Sequence, residues 1–222
     1  DKVTRTETTS VVTVQEGKGI TTTNTVKTET KDDKVTRTEE NKVELSSTAV
    51  TSESTTEGNL VLDLGSVTVD FSKDAATNFK GKNLSITSVV GKEVSSMESL
   101  PGDVKEVALV ISFDLVSGQS QIHDLGGTAT VTVFYGTGQD VSHVAIWHMG
   151  DDGKLIEKIT KFTYDSASGN VTFDATAFST FIFGEGEELE DDNTLMVVAF
   201  IAVIMVVFIV GMLFFIREAG KA

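Results

Sequence analysis

From Leu60 to Phe183 apolar and polar positions alternate in short runs divided by turn residues. Val67, Val69 and Phe71 alternate with Thr68 and Asp70, and Leu84 and Ile86 resume the pattern after Gly81-Lys82-Asn83. Successive side chains of a strand point to opposite faces, so these runs predict half-buried strands. The longest run, Val107, Leu109, Ile111, Phe113 and Leu115, predicts a central strand with one apolar face. Gly126-Gly127 precedes Ala129, Val131, Val133 and Tyr135. Val141–Met149 and Leu155–Phe162 flank Asp151-Asp152-Gly153, a good hairpin turn. The turn Tyr164–Asn170 leads into Val171, Phe173 and then Phe178–Phe183. Ser72 ahead of Ala75, Ala76 and Phe79 predicts a short capped helix. Short strands at this spacing predict an antiparallel β-sandwich over residues 59–184, long enough for one core.

Residues 1–58 follow a different pattern. Thr and Val, good strand formers, dominate with Lys and Glu, and Glu16-Gly17-Lys18-Gly19 and Lys31-Asp32-Asp33-Lys34 punctuate them. Strands are predicted near Val3–Val14, Ile20–Thr30 and Val35–Ser46. Alternation sends Thr4, Thr6 and Thr8 to one face and Val3, Arg5 and Glu7 to the other, and neither is greasy. A free meander of this kind buries too little apolar area to stand alone. It must stack on further units, or it is a low-complexity spacer. DKVTRTE occurs at Asp1–Glu7 and again at Asp33–Glu39, which predicts a repeat array with more units before Asp1. This segment is expected to be a Thr-rich β-repeat stalk.

The third pattern is Leu195–Ile216, with no charged side chain. As a helix it covers roughly 33 Å, enough to cross a bilayer core of about 30 Å. An acidic linker, 185–194, precedes it, and Arg217 and Lys221 lie in the tail 217–222. Basic residues beside a span stay cytoplasmic, so the tail is expected inside and everything before Leu195 outside. The span holds no ionisable residue for an ion path, and Gly211 has no GxxxG partner. It is expected to be a single-pass anchor in the cell membrane, with the lipid bilayer as its partner.

Net charge is -15 with a pI near 4.5, which argues against nucleic acid and against docking on anionic lipid. The chain has no Cys, so thiolate chemistry and Cys zinc sites are excluded. His143 and His148 are five apart on one expected strand and so on opposite faces, unable to share a metal. His123-Asp124 lies in an expected loop, and Asp151 and Asp152 suit a turn without forming a D-x-D-x-D-G calcium loop. No phosphate loop, GxSxG or HExxH occurs. Trp147 is expected in the core rather than as a sugar platform. The expectation is therefore no enzyme: no catalytic, cofactor-binding or metal residue. Asn83-Leu84-Ser85 and Asn170-Val171-Thr172 are glycosylation sequons, on the side expected outside.

Four stretches carry a resemblance: SVTVDFSKDAATNF (66–79), GGTATVTVFYG (Gly126–Gly136), VAIWHMGDDGKLIEKI (Val144–Ile159) and FTYDSASGNVTFDATAFSTFIFGE (Phe162–Glu185). Gly65–Gly184 resembles a module of modular cell-surface proteins of archaea and bacteria, S-layer-type proteins included. Thr-rich repeats before such a module fit the same setting. Bacterial members often continue into wall-binding repeats where this chain has an apolar stretch, which looks more like an archaeal envelope. The resemblance implies a cell-surface setting and no chemistry. It implies a structural protein, the C-terminal stalk and anchor of a larger cell-surface or S-layer-associated protein, with envelope proteins or glycans as further partners. The alternative is an extracellular binding or adhesion module for carbohydrate or protein. An exposed cluster of Trp147, Tyr135 and Tyr164 would favour that alternative.

Overall fold

The computed structural model describes residues 5–15, 17–31, 34–53, 58–91 and 100–186. Leu195–Ile216, most of the acidic linker and the tail lie outside them; among the described residues no helix is long and apolar enough to cross a membrane. The fold is mainly β, two antiparallel sheets packed as a sandwich.

In chain order the elements are β1 (Arg5–Gln15), β2 (Ile20–Lys31), β3 (Lys34–Leu45), α1 (Ser47–Glu53), β4 (Leu60–Asp63), β5 (Val67–Phe71), α2 (Lys73–Phe79), β6 (Leu84–Gly91), β7 (Val104–Ser117), β8 (Ser120–Gln121), β9 (Asp124–Phe134), β10 (Val144–Met149), β11 (Leu155–Ile159), β12 (Thr163–Asp165), β13 (Asn170–Ala177) and β14 (Thr180–Gly186). The larger sheet runs β1-β2-β3-β6-β7-β14-β10-β11, with β8 on β7. The smaller runs β12-β13-β9-β5-β4.

Alternation places the core between the sheets. Val67, Val69 and Phe71 face Leu84, Ile86, Ile111, Phe113 and Leu115 within one buried cluster. Phe173 meets Phe181 and Phe183 at ring-centroid distances of 5.2 and 5.6 Å. Phe178, in the bend between β13 and β14, stacks on Phe113 at 4.5 Å. Each such ring contributes about 1.5–3 kcal/mol through burial. The expected stretch Phe178–Phe183 is thus a bend followed by a strand.

Helix α2 forms as its sequence demands. Ser72 Oγ accepts from the Ala75 amide, and Ala75, Ala76 and Phe79 are buried. The same hydroxyl accepts from the Thr128 amide, tying the cap to β9. Gly127 makes this approach possible, because a Cβ there would lie 2.5 Å from the Ala75 nitrogen. Helix α1 was not expected from the sequence. Ser46 Oγ caps it at the Ala49 amide (3.2 Å), and Ala49 and Val50 are buried.

Two expectations need correction. Val107 does not share a face with Leu109. The β7–β14 register pairs Phe183 with Leu109 but Gly184 with Val107, so Ala108 is an extra residue. This bulge turns Val107 to the other face, against Ala145, Trp147, Met149 and Ile182. Gly184 accommodates it, since a Cβ there would come within 2.1 Å of the Glu106 carbonyl oxygen. His143, for its part, is not on the strand with His148; it sits in the exposed turn before β10.

The Thr-rich meander is ordered as three strands close to the expected ones. Its neighbour lies within the described chain. β3 pairs with β6 from Glu39↔Val90 to Leu45↔Leu84, so the larger sheet runs across the composition change at Asn59 without a break. Ile20, Val43 and Leu45, at one end of the meander, join the main core.

Candidate functional site

Three clusters of polar side chains stand out, and Ser88 and Ser117 are buried outside them, their hydroxyls without a hydrogen-bond partner among the described residues. At the first, β10 and β11 form a hairpin that sets His148 opposite Glu157, while β14 sets Phe181 on its other side. The imidazole stacks on Phe181 at 4.3 Å and is 1% exposed. Its Nε2 lies 3.0 Å from Ser179 Oγ and its Nδ1 3.4 Å from Glu157 Oε1. Ser, His and a carboxylate in this order are the groups of an activated serine. Ser179, however, is 6% exposed and donates its proton to the Met149 carbonyl. With that proton committed, Nε2 must carry the hydrogen it gives to Ser179. The Glu157 contact then needs a second proton on the ring, and burial opposes this: it pulls the His148 pKa below its ordinary 6.5, against the pull of Glu157. The arrangement holds the β13–β14 bend to the end of β10.

The second place is on the opposite face of the larger sheet. Trp147 is fully buried and donates Nε1 to Asp103 Oδ1 at 2.9 Å. Lys158 donates to the other Asp103 oxygen at 2.6 Å and lies 5.1 Å from the indole centroid. The Lys158 hydrogen bond, helped by that from Trp147, holds the Asp103 carboxyl below the usual range.

The third is a groove of about 480 Å³ where the meander passes β4. Asn24 and Asn41 are opposite each other on β2 and β3. Asn41 is 2% exposed; it donates to Glu39 Oε1 at 2.9 Å and accepts from Asn24. Thr13, Thr22 and Val61 complete the walls. Such a surface offers amide, hydroxyl and carboxylate groups without an aromatic plate.

The residues singled out by sequence are dispersed. His123 is an exposed partner of Asp151 at 3.2 Å. Asp152 accepts from the Lys154 amide and binds its ammonium at 2.9 Å, and these bonds lower the carboxyl pKa. Asp124 bonds the Gly126 amide at 2.8 Å. Among the described residues no group of three or more His, Asp or Glu is placed to hold a metal. Tyr164 donates to the Gly136 carbonyl (2.6 Å) and accepts from the Gln139 amide (2.8 Å). Tyr135 packs near Phe183, and burial raises its pKa, with Glu185 and Glu106 adding to the effect. Trp147 is in a different cluster from both tyrosines, so the three do not form an exposed aromatic patch. Asn83 is exposed before β6, its Oδ1 accepting from the Ser47 amide at 2.9 Å; Asn170 is half-buried at the start of β13.

Sequence reasoning missed Ser179, Glu157, Asp103, Lys158, Asn24 and Asn41. A register drawn through the Asp151–Gly153 hairpin would have brought Glu157 near His148. Asp103, 44 residues from Trp147 in sequence, leaves no local signal. Comparison of the chain with protein families, with curated proteins and with solved structures finds no match.

Proposed function

We propose that this chain is the stalk and anchor of a membrane-bound extracellular structural protein. One observation carries the reading: Leu195–Ile216 is long and uncharged, with only acidic charges just before it and only Arg217, Glu218 and Lys221 after it. The Thr-rich strands form the stalk, the sandwich lies next to the bilayer, and the span fixes it there. Support also comes from how the polar groups are used. The buried His148 and Ser179 side chains bond to each other and to the Met149 carbonyl, and the half-buried Asp103 and Lys158 bond to each other. A binding module is the second reading, and the groove beside Asn24 and Asn41 is the observation that favours it.

Protease added to intact cells should degrade the chain before Leu195 and spare a tag placed after Ala222. Loss of the tag to external protease would overturn the orientation. Release of the whole chain by a carbonate wash would overturn the anchor.

A further inference from the structure

The ends of the two sheets are unequal. β4, β11 and β12, at three of them, are four, five and three residues long. Short edges are one way proteins prevent unwanted strand pairing. β1, at the fourth, is eleven residues long and exposed throughout. It pairs with β2 from Arg5↔Thr30 to Gln15↔Ile20 without a register shift. No described strand pairs with its other side. There every second residue turns an N–H and a C=O outward. The strand lacks the usual protections: it has no Pro, no Lys and no bulge, and Val11, Val12 and Val14 are 57–60% exposed. Its two charges, Arg5 and Glu7, bond to each other.

Charge is distributed to suit a second copy. Residues 1–45 hold eight Lys and Arg against nine Asp and Glu, net -1, so -14 of the total -15 lies elsewhere. The meander is thus nearly neutral, so two copies meet there with little repulsion.

The sequence of β1 is also self-complementary. A two-fold axis normal to the sheet keeps like faces together, so paired residues share parity. Centred on Ser10, the strand pairs Thr9 with Val11, Thr8 with Val12, Glu7 with Thr13, Thr6 with Val14 and Arg5 with Gln15. All eleven residues are used, no like charges are opposed, and three of the pairs are Thr–Val. The β1–β2 ladder already relies on this chemistry, with Thr9↔Val26, Val12↔Thr23 and Val14↔Thr21.

We infer that β1 is a homophilic docking edge, pairing antiparallel with β1 of a second copy about Ser10 to make one sheet across two chains. This goes beyond the anchor reading and does not depend on where the chain resides; the competing occupant is a preceding repeat unit of the same chain, which would cover β1 and leave the Ser10→Cys chain monomeric.

The chain has no cysteine, so introduced thiols report without background. The full chain in detergent, carrying Ser10→Cys, is oxidised mildly and compared with Thr25→Cys. Thr25 sits opposite Ser10 on β2, so in the pair it is about 14 Å from its copy, three strand spacings. That is beyond disulfide reach, so Ser10→Cys should give about tenfold more covalent dimer. A mixture of Thr9→Cys and Val11→Cys chains tests the adjacent pair, because hydrogen-bonded and non-hydrogen-bonded pairs alternate and differ in ease of bridging. Added salt should raise the yield by screening the acidic remainder. Dimer at Ser10 or in the mixture, and not at Thr25, supports the pairing. No dimer at either site, equal dimer at Thr25, or a yield that falls with salt overturns it.

Discussion

β1 and β7 belong to one sheet and are 11 and 14 residues long, yet β1 is exposed throughout whereas β7 buries Val110, Ile111, Phe113, Leu115 and Ser117. Both are rich in residues that suit a pleated backbone. The difference is in what the side chains meet. β7 is flanked by β6 and β14 and covered by the smaller sheet, while β1 has β2 on one side. Strand propensity decides that a segment is extended. Burial decides whether the extended segment resists opening, since ordering costs about 1–2 kcal/mol per residue of backbone. The meander itself grades from one regime to the other. Ile20, Val43 and Leu45 are in the core, Asn24 and Asn41 come next, and the far end carries Arg37, Glu7 and Arg5.

The largest test of this contrast is Phe113→Ala. The ring stacks on Phe178 and meets Phe181 edge-on, so its loss should cost about 3–5 kcal/mol. Urea titration of the full chain, followed by Trp147 fluorescence, reads it. A midpoint equal to that of the parent would mean β7 does not hold the core.

A second test uses pH and acts on the sandwich alone. Burial favours neutral His148, so its folded pKa lies below 6.5. Below pH 6.5 the unfolded chain takes up a proton that the folded chain resists. Stability is therefore full above pH 6.5 and falls as pH drops through it toward the lower folded value. His148→Gln removes this dependence, so urea midpoints at pH 8 and pH 5 should differ less in the variant than in the parent. Equal differences would mean His148 is not held neutral.

The smallest effect is expected at Thr8→Ala on exposed β1, within about 0.5 kcal/mol. In dilute chain, β1 amides should exchange with solvent ahead of those in β7 and β10. Protection of β1 equal to that of β7 would erase the contrast.

What the sequence could reveal follows from range. Val67, Val69 and Phe71, the Ser72 cap and the Asp151–Gly153 turn each depend on neighbours a few residues away, and all are where the pattern predicts. The bulge at Ala108 was hidden because Val107-Ala108-Leu109-Val110-Ile111 is apolar at both parities, so a one-residue slip leaves no trace in the pattern. Helix α1 was hidden by its Thr and Ser, which also suit strands and turns. The polar clusters depend on pairing across the sheet. His148 meets Ser179 because β10 lies beside β14, a neighbour relation that no local spacing encodes.

The positions of the first and last described strands also give the molecule a mechanical direction. β1 is at the sheet edge, whereas β14 lies inside it, between β7 and β10, with Phe181 and Phe183 in the core. Tension between Arg5 and Gly186 therefore meets unequal resistance. At one end a single ladder can peel. At the other, two ladders and a packed core must yield together. The Thr-rich end lets go first, paying out about 3.3 Å per residue released, while the sandwich stays closed. A chain wired this way lengthens under load before it fails, with its extensible part at one end and its grip at the other.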